Sequence, residues 1–157
     1  MSYTCILIHV VFATKNRDKN LILNHREDLF RYIKGTIKNL NCKPLAVNGQ
    51  ADHVHILFDL NPSLSISDFV KTIKIASNKF IKEQHIFWDF KGWQEGYFAG
   101  SVSPNGKKRC IDYINDQGVH HKGKSFLAEM EWLKLKYEIE NSIKNSTPGT
   151  GLENMEG

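Results

Sequence analysis

Two short segments carry residue types that could do chemistry. The first is DHVHILF, residues 52–58, where His53 and His55 stand two apart in an apolar, β-branched run. Residues two apart on a strand share a face. The two imidazoles would then converge on one side, and neutral imidazole is a common ligand for transition metals. The plain alternative is a pair of strand histidines facing solvent or bonded to backbone, and the pair alone identifies neither metal nor reaction. The second segment is YINDQ, residues 113–117. Tyr113 and Gln117 are four apart and would stack on one helix face. Glutamine offers a carbonyl oxygen to a metal, and tyrosine a hydroxyl that can act as a nucleophile. Judged alone, this pair reads better as a packing tyrosine and a surface amide.

Basic residues form a third feature. Lys15, Arg17 and Lys19 fall in one loop, Lys107, Lys108 and Arg109 open the helix of Tyr113, and Lys122 and Lys124 follow it. A helix N-terminus with added cations favours phosphate, although lysines there oppose the macrodipole. Net charge is +4 in 157 residues, too small a bias to identify nucleic acid as a partner.

These residues need a frame. TCILIHVVFA (4–13) is β-branched and short, hence a strand. Residues 24–41 place Leu29, Ile33, Ile37 and Leu40 at helical spacing, with Asn24 as N-cap. CKPLAVNG and DHVHILFDL read as two strands of a hairpin around Gly49 and Gln50. An amphipathic helix runs through Ile66, Phe69, Val70, Ile73, Phe80 and Ile81, and a fourth strand lies near 96–103. Residues 104–118 supply a breaker, a basic first turn and a short helix that stops at Gly118, and a longer helix covers 125–145. The order β-α-β-β-α-β is that of a ferredoxin-like α+β fold, an antiparallel sheet with helices on one face, followed by two further helices. One domain over 1–145 and a disordered tail over 146–157 are expected.

Strand alternation turns Val54, Ile56 and Phe58 under the helices, together with Ile6, Ile8, Val10 and Phe12. His9, His53 and His55 then lie on the opposite, open face. Three scattered cysteines, Cys5, Cys42 and Cys110, argue for reduced thiols. With no apolar run long enough for a membrane span and no signal peptide, a cytoplasmic protein is expected.

HVH on a central strand and YINDQ on a later helix make the chain resemble the single-tyrosine HUH transposases of the smallest bacterial insertion sequences, the 200/605 group. IHVVFATKNR, WQEGYFAGSVSPN and YINDQGVHHKGKSF extend the match over about residues 3 to 126, in the family's order. The match weakens after Phe126.

The resemblance implies that Tyr113 is the nucleophile and that His53, His55 and Gln117 hold a divalent cation, Mg²⁺ or Mn²⁺. It implies a single-stranded DNA substrate with hairpins near element ends, cut and rejoined through a 5′-phosphotyrosine. A homodimer is also implied, with the tyrosine helix completing either its own or the partner's site, and the basic residues gripping DNA. Three other readings stay open. A domesticated relative would process chromosomal repeat hairpins by the same chemistry. A non-catalytic ferredoxin-like module would stack bases on sheet aromatics. A small zinc hydrolase would need a carboxylate beside the histidines, and Asp52, by strand alternation, should point to the other face.

Overall fold

The computed structural model describes residues 1–117 and 125–145. The chain falls into two compact units, residues 1–122 and 123–157. In the first unit, β1 (Leu7–Ala13), α1 (Leu23–Asn39), β2 (Lys43–Gly49), β3 (His53–Asp59), α2 (Ile66–Glu83) and β4 (Phe98–Val102) follow one another, and α3 (Lys107–Asn115) comes after β4. The sheet is antiparallel throughout in the order β2-β3-β1-β4. This is the expected ferredoxin-like arrangement.

Side-chain alternation builds the main core. Val10 and Phe12 of β1 and Val54, Ile56 and Phe58 of β3 meet Leu29, Phe30, Ile33 and Ile37 of α1. Phe69, Val70, Ile73 and Ile81 of α2 close it, and Phe58 stacks on Phe69 with ring centroids 3.7 Å apart. Each large side chain buried in this way contributes about 1.5–3 kcal/mol. Ser65 caps α2 by accepting a hydrogen bond from the Asp68 amide at 3.0 Å.

The ends of some elements differ from expectation for local reasons. Strand β1 starts at Leu7, where its pairing with Asp59 and Val102 begins, instead of at residue 4. Helix α1 starts at Leu23 with Ile22 in the capping position and no side-chain cap, so Asn24 lies inside the first turn. One long-range and one local bond fix the chain there. The Leu21 amide donates to the Ala51 carbonyl at 2.9 Å, and Arg26 Nε donates to the Leu21 carbonyl at 2.6 Å.

The hairpin between β2 and β3 depends on Gly49. A Cβ at this position would lie 2.2 Å from the carbonyl oxygen of His53, a backbone atom that cannot swing away. Gly49→Ala should therefore cost about 2–3 kcal/mol, read as a lowered urea midpoint, and should displace His53. An unchanged midpoint would contradict this packing.

In the second unit, α4 (Phe126–Asn145) occupies the span expected for a long helix. Ser125 caps it, its Oγ accepting from the Ala128 amide at 3.2 Å. The expected tail over 146–157 lies outside the described residues. Among the described residues, no helix is long and apolar enough to cross a membrane.

Candidate active site

The second face of the sheet carries the residues of interest. Leu7 and His9 of β1, Ala46 and Asn48 of β2, and His53, His55 and Leu57 of β3 point away from α1 and α2. The sequence suggests an open face here, but α3 covers it. Helix α3 presents Cys110 and Ile114, four apart, to Leu7, Ala46 and Leu57, making a second small core. Asn48 Nδ2 donates to the carbonyls of Ile114 at 2.9 Å and Asn115 at 3.2 Å, which satisfies helix-end acceptors and pins that end over the sheet. The three imidazoles on this face are buried: His9 is 1%, His53 3% and His55 0% exposed.

Each histidine of the HVH motif has its Nδ1 held by a neighbour. Asp52 Oδ1 stands 2.7 Å from His53 Nδ1, and His9 Nε2 stands 2.9 Å from His55 Nδ1. With Nδ1 engaged, Nε2 is the nitrogen of each ring that could ligate a metal. A ligand nitrogen of His53 and one of His55 lie within 4.8 Å of each other, and the ring centroids are 5.1 Å apart. Asp52 thus corrects the expectation that its side chain faces away. It precedes the first paired residue of β3, so strand alternation does not govern it.

Tyr113 comes to the same place from α3. Its half-buried ring lies 5.6 Å from that of His55 and 6.2 Å from that of His9, nearly perpendicular to both. Gln117 differs from expectation in one respect. Helix α3 ends at Asn115 with Asp116 as its C-cap, so Gln117 follows the helix and is not within it. It stays close because its Nε2 donates to the Tyr113 carbonyl at 3.4 Å, and the Gln50 side-chain amide donates to the Gln117 carbonyl. Gln50 itself is tied to the motif, its amide donating to the His53 carbonyl at 3.0 Å.

The Gln117 side chain is fully buried, and its Oε1 has no hydrogen-bond partner among the described residues. Leaving such an acceptor unsatisfied costs about 1–3 kcal/mol. A bound cation would satisfy such an oxygen, and the paired imidazole nitrogens could hold a divalent metal. Nitrogen ligands alone would suit zinc, nickel or copper; an amide oxygen among them would suit magnesium or manganese.

The basic residues divide between the two ends of the sheet. Lys15 and Arg17 are exposed in a 3-10 turn directly after β1, and Lys19 is exposed just beyond it. This turn lies at the His53 end, because Ala13 pairs with His53. Its backbone is built with care: Asn16 and Arg17 adopt φ of 58° and 56°, in the left-handed region. Gln94 Oε1 accepts from the Asn16 amide at 2.8 Å, and the Gly92 carbonyl accepts from the Lys15 amide at 2.9 Å. Lys74 Nζ clamps this second segment by donating to the carbonyls of Gln94 at 2.8 Å and Gly96 at 2.7 Å. Burial pulls the Lys74 pKa below its ordinary value, while the charge of Glu95 pulls the other way.

Lys107, Lys108 and Arg109 are exposed in the first turn of α3, near the Leu7 end of the sheet. Lys108 pairs with Asp112 at 3.0 Å, so its charge is partly answered within the helix. Lys122 and Lys124 lie outside the described residues.

Sequence comparison gives a consistent picture. The family model described as IS200-like transposase matches residues 2–117. The transposases for insertion sequence IS200 of Salmonella typhimurium and Salmonella typhi are each 30% identical over 114 residues, covering 69% of this chain and 74% of theirs. The ISDra2 transposase TnpA of Deinococcus radiodurans is 25% identical over 114 residues, covering 69% of this chain and 81% of its own. Among solved structures, a chain assigned as a transposase in Deinococcus radiodurans superposes with a TM-score of 0.58 at 25% identity, covering 74% of this chain and 95% of that one. A REP-associated tyrosine transposase bound to a REP hairpin gives a TM-score of 0.58 at 17% identity, covering 78% and 72%, a likeness of fold.

Proposed function

The chain belongs to the IS200-like transposase family, and from that premise we propose that it cuts and rejoins single-stranded DNA through a 5′-phosphotyrosine on Tyr113. The observation that carries this reading is the meeting, within one chain, of the Tyr113 ring and the His55 ring at 5.6 Å beside the buried Gln117.

His53 and His55, through Nε2, and Gln117, through Oε1, would hold a divalent cation, Mg²⁺ or Mn²⁺. When bound, such a cation supplies Lewis-acid polarisation of the scissile phosphate. Tyr113 Oη attacks phosphorus: the Oη–P bond forms, the bond from phosphorus to the 3′ oxygen breaks, the phenol loses its proton and the departing oxygen gains one. The phosphoester survives in the protein–DNA link, so a second 3′-hydroxyl can reverse the step without an external energy source. Hydrolysis by an activated water would discard that link. A phenol ionises near pH ~10, so its proton must be drawn off during attack. α3 covers this part of the sheet and limits the competing access of water.

The DNA would enter past the exposed turn at the His53 end, where Lys15 and Arg17 can contact phosphates. Hairpins near element ends are the proposed bound feature, in keeping with the REP hairpin held by the structural relative. A homodimer is proposed as the working form. Tyr113 stands next to His55 of its own chain, a placement from which the site can be completed in cis. The same relative gives weight to a second reading, a domesticated enzyme that processes chromosomal repeat hairpins. The presence or absence of matching transposon ends around the gene separates the two.

The test of the chemistry is incubation with single-stranded oligonucleotides and Mn²⁺. A covalent protein–DNA band resistant to denaturant and absent with chelator is expected; persistent absence of the band with Mn²⁺ would contradict the proposal. A further prediction concerns the grip on DNA. Removing Lys15 and Arg17 together should lower the slope of log binding constant against log salt by about 1.4, at about 0.7 per phosphate contact on a single strand. An unchanged slope would remove this turn from the interface.

A further inference from the structure

We propose that His9 is a positioning residue that fixes the tautomer and ring orientation of His55, a role that rests on the metal-holding site proposed above. His9 lies outside both motifs, on β1, and is 1% exposed. Its Nε2 stands 2.9 Å from His55 Nδ1, with the two rings stacked at 27° and 5.1 Å between centroids.

Two neutral imidazoles joined in this way must be one donor and one acceptor. If His55 coordinates through Nε2, its proton resides on Nδ1. His55 then donates to His9 Nε2, and His9 keeps its own proton on Nδ1. The opposite tautomer would place the His55 proton on the nitrogen that must face a cation. In the proposed direction His9 Nε2 accepts, and the hydrogen bond would hold His55 in the ligating form before any metal arrives. The fold sustains the selection: His9 is seated opposite Gly100 of β4, and its ring is edged by Phe98 at 6.0 Å and Tyr113 at 6.2 Å.

The arrangement mirrors the other histidine. Asp52 serves His53 Nδ1 from the turn before β3, as His9 serves His55 Nδ1 from the neighbouring strand. A carboxylate there accepts strongly. A neutral imidazole accepts equally well in kind without adding a second negative charge to the buried side of the site. The choice of histidine on β1 is thus accounted for by chemistry, since an apolar residue of similar size would fill the same space.

The experiment has two readouts. Proton–nitrogen correlation spectra of the metal-free protein should show His55 in its Nδ1–H form, and an Nε2–H form would overturn the inference whatever the metal does. Mn²⁺ titration should then rank three proteins whose folding is checked by thermal melting. His9→Leu should bind about 10–100-fold more weakly than wild type, the range for loss of such a supporting partner. His9→Gln, whose Oε1 can accept from Nδ1–H, should recover most of that loss. A purely space-filling role predicts that leucine performs as well as glutamine, and that result would also overturn it. If wild type itself fails to bind Mn²⁺, the metal-holding reading falls, and the tautomer spectrum still decides the role of His9.

Discussion

Tyr113→Phe is expected to abolish the covalent protein–DNA product and to lower strand cleavage by about 10⁴-fold or more, the scale seen when an enzyme loses its nucleophile. The substitution removes one oxygen and keeps the ring. Tyr113 is half-buried, and its ring packs across His9 and His55, contacts that phenylalanine preserves. The fold and the affinity for an oligonucleotide should therefore stay close to wild type, checked by thermal melting and a mobility shift. A surviving covalent band would move the nucleophile elsewhere, and a collapse of DNA binding would mean that the hydroxyl serves binding before chemistry.

The second large effect is expected at the paired imidazoles. His53→Ala and His55→Ala should each remove Mn²⁺-dependent cleavage and reduce Mn²⁺ affinity by at least about tenfold, as measured by titration. Cleavage by either variant at the wild-type rate, or wild-type cleavage undiminished by chelator, would dismiss the metal from the reaction.

Much of this was legible in the sequence because strand alternation is a strict geometric rule. Val54, Ile56 and Phe58 had to share one face and His53 and His55 the other, and the core assembles on that division. The order of elements gave the ferredoxin-like sheet for the same reason. Covering the second face was not legible, since nothing local to KKRCIDYIN says which surface Cys110 and Ile114 will meet. That contact depends on Leu7, Ala46 and Leu57, residues remote in sequence.

The supporting partners were equally hidden. Asp52 belongs to a turn, where period-two reasoning stops, and it swings to His53. Strand alternation puts His9 on the correct face, but its bond to His55 spans 46 residues and depends on the register of β1 against β3. Four-residue spacing puts Gln117 on the helix of Tyr113. The helix stops two residues earlier, and Asn48 holds that end through the carbonyls of Ile114 and Asn115. An alternative signal did exist for Asp52, because a carboxylate next to a candidate ligand histidine is a frequent orienting partner.

The measurement that bears most directly on the central claim is peptide mapping by mass spectrometry of protein trapped on a single-stranded oligonucleotide in the presence of Mn²⁺. The account predicts one modified peptide, containing Tyr113 esterified to a 5′-phosphate. Attachment at any other residue, or a link through a 3′-phosphate, would contradict it.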